Sequence, residues 1–367
     1  MLLVYTSEML KSFVDRAMAA DVVALDTEFI TGRTYYPRLA LIQVGLNVGD
    51  VRIIDPLAIE NLQVLGKLLE HPGIVKVVHA PETDLYLLHK TTGVIPRNVF
   101  DAQHALGFTC PQWPPLSLRN LIKELLGVTL KKSETRSDWM SRPLTSKQCS
   151  YAADDVRYLC QAYRKLQKRI AALGRTTWVA EDMARYHDAS WYAEPDANKA
   201  YLLFKRANTL GGLQRAALQN IAAWRQKTAM QKNLPLQWIL SDKAAFAIAR
   251  HMPRTIEHFR NLSVDIPRSS RTALFHTLQA ARDLPIQDRP PRPNVPKVYF
   301  SQRALTKRWH LATTTISKRA LEAGMPHKLI ASKRDIRALV NGHDSALLHG
   351  WRYEFVGKDL EALLSRR

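Results

Sequence analysis

The sequence predicts an α/β domain built on a mixed sheet, followed by two all-helical domains. From residue 20 to 101 short apolar runs alternate with helical patterns. After residue 102 the strand signals stop and helical periodicity takes over. Two segments then interrupt that periodicity: "DASWYAEPDANKA" at 188–200 and "LPIQDRPPRPNVPK" at 284–297, where five prolines forbid a continuous helix. At 367 residues, against roughly 100–200 for one domain, these breaks divide the chain into 1–190, 205–284 and 298–367.

The first domain owes its sheet to "VVALDTEF", "LALIQVG", "VRIIDPL", "VKVVHA" and "NVFDA", each a short β-forming run. Helices are expected near 62–70 and 82–90, and one long helix from about Thr145 to Leu173. That helix opens on "TSKQ", a capping box in which Thr145 and Gln148 satisfy each other's backbone donors. In the helical part, "LPLQWILSDKAAFAIA" at 234–249 aligns without gaps to "MPHKLIASKRDIRALV" at 325–340, a constant spacing of 91 residues. Both place a serine (Ser241, Ser332) at a capping position before an amphipathic helix, which predicts a duplicated small helical domain.

A hydrophobic fraction of 46% and a charged fraction of 23% exclude a disordered or fibrous chain. The N-terminal residues have no basic segment followed by an apolar core, and no run reaches the ~20 apolar residues of a membrane helix, so a cytoplasmic protein without membrane contact is expected. Cys110, Cys149 and Cys160 share no metal-ligand spacing and read as reduced, mostly buried thiols. The formal charge of +20 is uneven: residues 1–200 hold 24 Lys+Arg against 22 Asp+Glu, whereas residues 201–367 hold 29 against 11. Releasing counterions from phosphates is the usual favourable use of such a surface, so nucleic acid is the expected partner; a merely solubilising exterior is the alternative.

Asp26 and Glu28 lie two apart in a strand and so share one face. Tyr151 and Asp155, four apart on the long helix, share one face, while Asp154 points elsewhere. Asp84 opens another helix, where a carboxylate also suits the positive end of the dipole. Each pair has an innocent reading: solvated edge-strand charges, helix decoration, a favourable helix start.

Taken jointly, Asp-x-Glu, a midway Asp and Tyr-x-x-x-Asp in this order resemble the DEDD superfamily of 3′ to 5′ exonucleases, in its tyrosine subclass. "ALDTEFITGRTYYPRLALIQ", "IDPL", "HAPETDL", "SDWMSRPLTSKQCSYAADDVRYL" and "HGWRYEF" are similar to bacterial ribonuclease D over nearly the full length. The resemblance implies a ribonuclease-H-like exonuclease domain followed by two HRDC-type helical domains, the second divergent. It implies a 3′ to 5′ exoribonuclease releasing nucleoside 5′-monophosphates and trimming transfer RNA precursors and other structured RNA 3′ ends.

Phosphodiester hydrolysis calls for a nucleophile at neutral pH and relief of charge on two oxygens, which two metal ions supply. Four acids without clustered His or Cys favour Mg²⁺ or Mn²⁺ over zinc. By resemblance, Asp26, Glu28 and Asp155 hold the ion that activates water, Asp26 bridges to the second ion, and Asp84 supports it through water. Tyr151 positions the attacking water, since a phenol of ordinary pKa near ~10 is a poor base at pH 7.

Lys132, in the basic pair before "SETRSDW", is a candidate phosphate contact; the other reading is a solvated loop charge. His79 is a candidate lining residue, although a histidine after a buried strand is more often held in the core. Trp224 and Trp238 fall on apolar helical faces and are expected in the core. No "GxxxxGK[ST]" or "GxGxxG" occurs, so no nucleotide cofactor is expected. Two rival readings stay open at this level: a DNA-directed exonuclease with the same metal chemistry, and a catalytically silent RNA-binding protein.

Overall fold

The computed structural model describes residues 3–111, 114–131, 134, 137–292 and 300–365, so Lys132 lies outside the described residues. Strands β1 (Leu3–Val4), β2 (Val22–Ile30), β3 (Arg38–Asn47), β4 (Asp50–Ile54), β5 (Val75–Val78) and β6 (Val99–Asp101) form one sheet in the order β1-β4-β3-β2-β5-β6. β1 pairs parallel with β4, β5 with β2 and β6 with β5, while β3 and β4 are antiparallel, which makes the sheet mixed as expected. The five predicted runs are β2 to β6, and β1 is an addition only two residues long. Val22–Leu25 are buried throughout, as are Ala40–Ile42, because helices cover both faces and leave no polar alternation to read.

The helices around this sheet are α1 (Ser7–Ala17), α2 (Val64–Glu70), α3 (Glu82–Thr92), α4 (Ala102–Leu106), α5 (Leu118–Leu126), α6 (Ser146–Arg157), α7 (Leu159–Ala172) and α8 (Thr176–Met183). The expected capping box is present: Thr145 Oγ1 accepts from the Gln148 amide at 3.2 Å and Gln148 Oε1 from the Thr145 amide at 3.0 Å. The single long helix expected from 145 to 173 is instead two, α6 and α7, which meet at Tyr158 (φ −105°, ψ −5°). The break follows a close approach to the sheet, since a Cβ on Gly45 of β3 would sit 2.9 Å from the Val156 carbonyl oxygen. Cys160 Sγ also reaches the Gly45 carbonyl at 3.4 Å.

Beyond these come α9 (Gly212–Lys232), α10 (Leu236–Ile239), α11 (Asp242–His251), α12 (Arg271–Asp283), α13 (Gln302–Glu322), α14 (His327–Ile330), α15 (Lys333–Val340), α16 (Gly350–Arg352) and α17 (Lys358–Ser365). The predicted repeat folds alike in both copies. A 21-residue helix, α9 or α13, leads to a left-handed residue, Asn233 (φ 49°) or Gly324 (φ 60°), then to a proline and a four-residue helix. Ser241 then caps α11 by accepting from Ala244 at 3.1 Å, and Ser332 caps α15 by accepting from Asp335 at 3.2 Å.

Contacts divide the described residues into two compact units where the sequence suggests three domains. The first takes in 3–30, 39–192 and 300–365; the second takes in 31–38 and 193–292. Residues 300–365 share the core of the first unit because Ile316, Ile330, Leu347 and Trp351 are buried in one apolar cluster with Phe108, Leu166 and Val179. The ring of Trp351 stacks on Trp178 of α8 at 5.0 Å, and its Nε1 donates to Asp182 Oδ1 at 2.9 Å. Arg352 adds a two-pronged ion pair to the same carboxylate at 2.6 and 2.9 Å. Asp182 also lies 2.7 Å from His104 Nε2.

The second unit has its own core of Leu218, Ile221, Ala245, Ile248, Phe259 and Leu274, with Trp224 packed against it. Trp238, expected in a core, is 59% exposed; α10 is so short that only Ile239 is buried, leaving the indole outside. Among the described residues no helix is long and apolar enough to cross a membrane.

Candidate active site

Three elements of the first unit meet at the carboxyl ends of β2 and β5. Asp26 and Glu28 lie in the second half of β2, where burial loosens from complete to partial. β5 runs parallel to β2 and hands the chain to α3, whose first turn carries Asp84. α6 packs across β2 and β4, and its buried Ala152, Ala153 and Val156 let it sit close to the sheet. Its other side brings Tyr151 and Asp155 to the same place.

The charges of these side chains act on one another. Burial, followed by the charges of Asp84, Asp155 and Glu28, pushes the Asp26 carboxyl well above the usual carboxylate range. Burial and then Asp155 and Asp84 push Glu28 up to about 8. Asp155 rises to about 7, by burial and then by the charge of Asp154. Asp84 is raised by burial, opposed by a hydrogen bond that Thr27 Oγ1 donates to its Oδ1. The phenol of Tyr151 is driven up by burial and then by Asp155, Glu28 and Asp26, and its ring lies 6.0 Å from Trp139. Asp154 points away to an ion pair with Arg157 at 2.8 Å.

The structure thus brings Asp26, Glu28, Asp84, Tyr151 and Asp155 into one neighbourhood. Among the described residues, no three His, Cys, Asp or Glu side chains stand as a ready-made metal ligand set. The acids press on each other's charges without closing into such a set. Buried carboxylates that raise the pKa values of Asp26 and Glu28 are hard oxygen donors, which suit a hard divalent ion whose charge favours their ionised forms. The residues present therefore fit the metal that the fold implies.

His79 stands apart from this group. Its Nε2 is 3.1 Å from the Leu116 carbonyl, and burial lowers its pKa, which gives it a partner in the fold. Thr27 is the residue that sequence reasoning missed. The signal was its place between the two acids of "DTE", where a buried hydroxyl requires an acceptor.

Comparison with known proteins gives the same picture from another direction. A 3′-5′ exonuclease family profile matches residues 1–171, and an HRDC domain profile matches residues 214–265. The ribonuclease D of Xanthomonas oryzae pv. oryzae is 33% identical over 341 residues, covering 92% of this chain and 92% of that protein. The ribonuclease D of Escherichia coli strain K12 is 31% identical over 377 residues, covering 99% and 98%. The crystal structure of Escherichia coli RNase D, described as an exoribonuclease involved in structured RNA processing, superposes with a TM-score of 0.90 at 29% identity, covering 99% of this chain and 98% of that one.

Proposed function

The chain belongs to the ribonuclease D family and is a 3′ to 5′ exoribonuclease dependent on divalent metal, and from that premise we propose that it trims the 3′ ends of transfer RNA precursors and other structured RNAs. The products are nucleoside 5′-monophosphates. In this reading Asp26, Glu28 and Asp155 would hold one ion, and Asp26, supported by Asp84 through water, would help to hold a second. The ions are Mg²⁺ or Mn²⁺, because every donor is a carboxylate oxygen. When bound, they supply a nucleophilic water at neutral pH and relieve charge on the attacking and leaving oxygens.

The rest of the chemistry belongs to the chain. Tyr151 keeps its proton, since burial and three neighbouring carboxylates disfavour the phenolate. It therefore orients the attacking water by hydrogen bonding rather than removing a proton. Thr27 holds Asp84 in one rotamer and favours its ionised form. Lys132 is proposed to contact the substrate phosphate, and a Lys132→Ala variant with unaltered RNA affinity and rate removes it from the mechanism. His79 is proposed only to line the approach, because Leu116 already engages its ring. The setting is proposed to be the cytoplasm.

The observation that carries this reading is the mutual electrostatic pressure among Asp26, Glu28, Asp84 and Asp155 beside Tyr151. Digestion of 3′-extended transfer RNA by the wild type and Asp26→Ala, with and without Mg²⁺ or Mn²⁺, tests it. Stepwise 3′ shortening that needs both the ion and Asp26 is the expected result. Shortening by Asp26→Ala at the wild-type rate overturns the site.

A further inference from the structure

The second unit contains a pocket of about 550 Å³ that the exonuclease chemistry does not use, lined by residues of its own fold. Its walls combine two kinds of surface. Leu203, Phe246 and Val264 supply apolar area, and Leu203 is 80% exposed, unusual for a leucine with no covering element. Lys205, Arg206, Lys243 and Arg250 supply positive charge, and all four are exposed. The acid on the lining, Asp242, is held by Arg225 at 2.6 Å, so its charge is already answered from within the fold. No ion pair among the described residues engages Lys205, Arg206, Lys243 or Arg250.

We infer that this pocket is a nucleotide subsite for an unstacked stretch of the RNA substrate, a deepening that rests on the exoribonuclease reading above. The volume falls within the roughly 300–1,000 Å³ of small-molecule sites. A lining that joins apolar and basic side chains matches a nucleotide, whose base is flat and weakly hydrated and whose phosphate is anionic. The guanidinium of Arg206 lies over the Phe246 ring at 5.1 Å, and an arginine stacked on an aromatic ring is a planar surface on which a base can stack in turn. A paired A-form helix presents its bases edge-on and buried in the stack, so it could offer this concavity only phosphates. An acidic peptide could satisfy the basic rim but has no planar group for the Phe246 and Arg206 face. Single-stranded RNA satisfies both.

The test is equilibrium binding of the full-length chain, without divalent ions, to a labelled single-stranded RNA, to a duplex of the same length and to poly-glutamate. Two variants report on the two halves of the site. The Lys243→Glu/Arg250→Glu pair changes exposed charges outside the core, and Phe246→Leu keeps an apolar group where a flat ring stood. The expected result is that the charge pair weakens single-stranded RNA binding by about tenfold or more and lowers the salt slope by about 2. Phe246→Leu is expected to weaken it about threefold or more, while leaving duplex binding within twofold. Single-stranded RNA bound as tightly by the charge pair as by the wild type overturns the proposal. So does Phe246→Leu weakening duplex and single strand equally, and so does poly-glutamate binding the wild type as tightly as RNA, which would assign the pocket to acidic peptide. Hydrolysis of RNA by the wild type with added metal tests the underlying exoribonuclease reading separately, because binding here is measured without turnover.

Discussion

At the scale of the residue, burial holds two of the four site acids, Glu28 and Asp155, near neutral pH as partly protonated groups. Glu28, raised to about 8 from an ordinary value near 4.5, binds a proton in the folded chain that the unfolded chain has released. Where the native state binds more protons, stability falls as pH rises. His79 and His187 have lowered pKa values and act in the opposite sense, but only up to the ordinary histidine value near 6.5. Lys76, lowered to about 8 by burial, opposes the trend only above that pH. Asp26 and Asp155, also raised, add to the Glu28 effect, so between about pH 6.5 and 8 the metal-free chain should lose stability by up to about 1.4 kcal/mol per pH unit for each proton so held. Denaturant midpoints across this range check it; Glu28→Gln should flatten the slope, and saturating Mn²⁺ should flatten it in the wild type. For Tyr151→Phe, the kcat should fall on the order of 10- to 100-fold through lost positioning. Calorimetric Mn²⁺ affinity should meanwhile stay near the wild-type value, and unchanged turnover would dismiss the positioning role. The four acids and Tyr151 were legible because their spacing repeats a known pattern. Thr27 was only half legible: its place between two acids marks it, but its partner Asp84 lies 57 residues away and is set beside it only by the fold.

At the scale of the element, five of the six strands could be read because each is a β-branched run with breakers on both sides. The two residues of β1 give no periodicity to detect. Helix α1 did have a signal: Leu10, Phe13, Val14 and Ala17 fall at helical spacing, and Thr6 Oγ1 accepts from the Met9 amide at 3.3 Å. The break at Tyr158 lay beyond sequence reasoning altogether, since it arises from the contact between α6 and Gly45 across the sheet. Likewise "HGWRYEF" is a motif whose physical sense appears only in three dimensions. Gly350 has φ of 52°, and a Cβ there would come within 1.7 Å of Glu181 Oε1. Glu181 in turn accepts from the Trp351 amide at 2.9 Å. Asp182, its pKa held low by His104, Arg352 and Trp351 despite burial, is the pin of this joint. Replacing it by alanine leaves Arg352 and the Trp351 indole without their acceptor. Such a loss typically costs about 3–5 kcal/mol, and a fall in thermal midpoint of roughly 6–20 °C should follow. A shift under 2 °C would show that the joint contributes little.

At the scale of the whole molecule, the sequence showed a repeat and two breaks, and the repeat is real in its local geometry. What the sequence did not show is that the copies differ in allegiance. The copy around Ser241 builds a core of its own, with the small residues Ala216, Ala217, Ala244 and Ala245 closing α9 against α11. The copy around Ser332 gives Ile330, Ile336 and Leu339 to the core that also contains the sheet. Periodicity reports that a helix has an apolar face and is silent about which neighbour covers it. We propose that both copies are HRDC-type modules, the second one absorbed by its host. A chain ending at residue 292 should then bind a hydrophobic dye and lose the sharp transition of the first unit, because Trp178 and Phe108 lose the cover of Trp351. A sharp transition at the wild-type midpoint would refute the shared core.

The first unit is thus written in three stretches, and some hundred residues of the second unit separate its last stretch from the rest. A ribosome, itself made largely of RNA, would synthesise the sheet and its acids first, and the segment that packs on α8 and Phe108 only after residue 300 has emerged. At roughly 5–20 residues per second that leaves an interval of several seconds. During it a 3′-end nuclease in the making should stay unsealed beside its translation machinery. Nascent chains stalled before residue 300 should accordingly be cut by protease around α8, and chains stalled with 300–365 exposed should resist it.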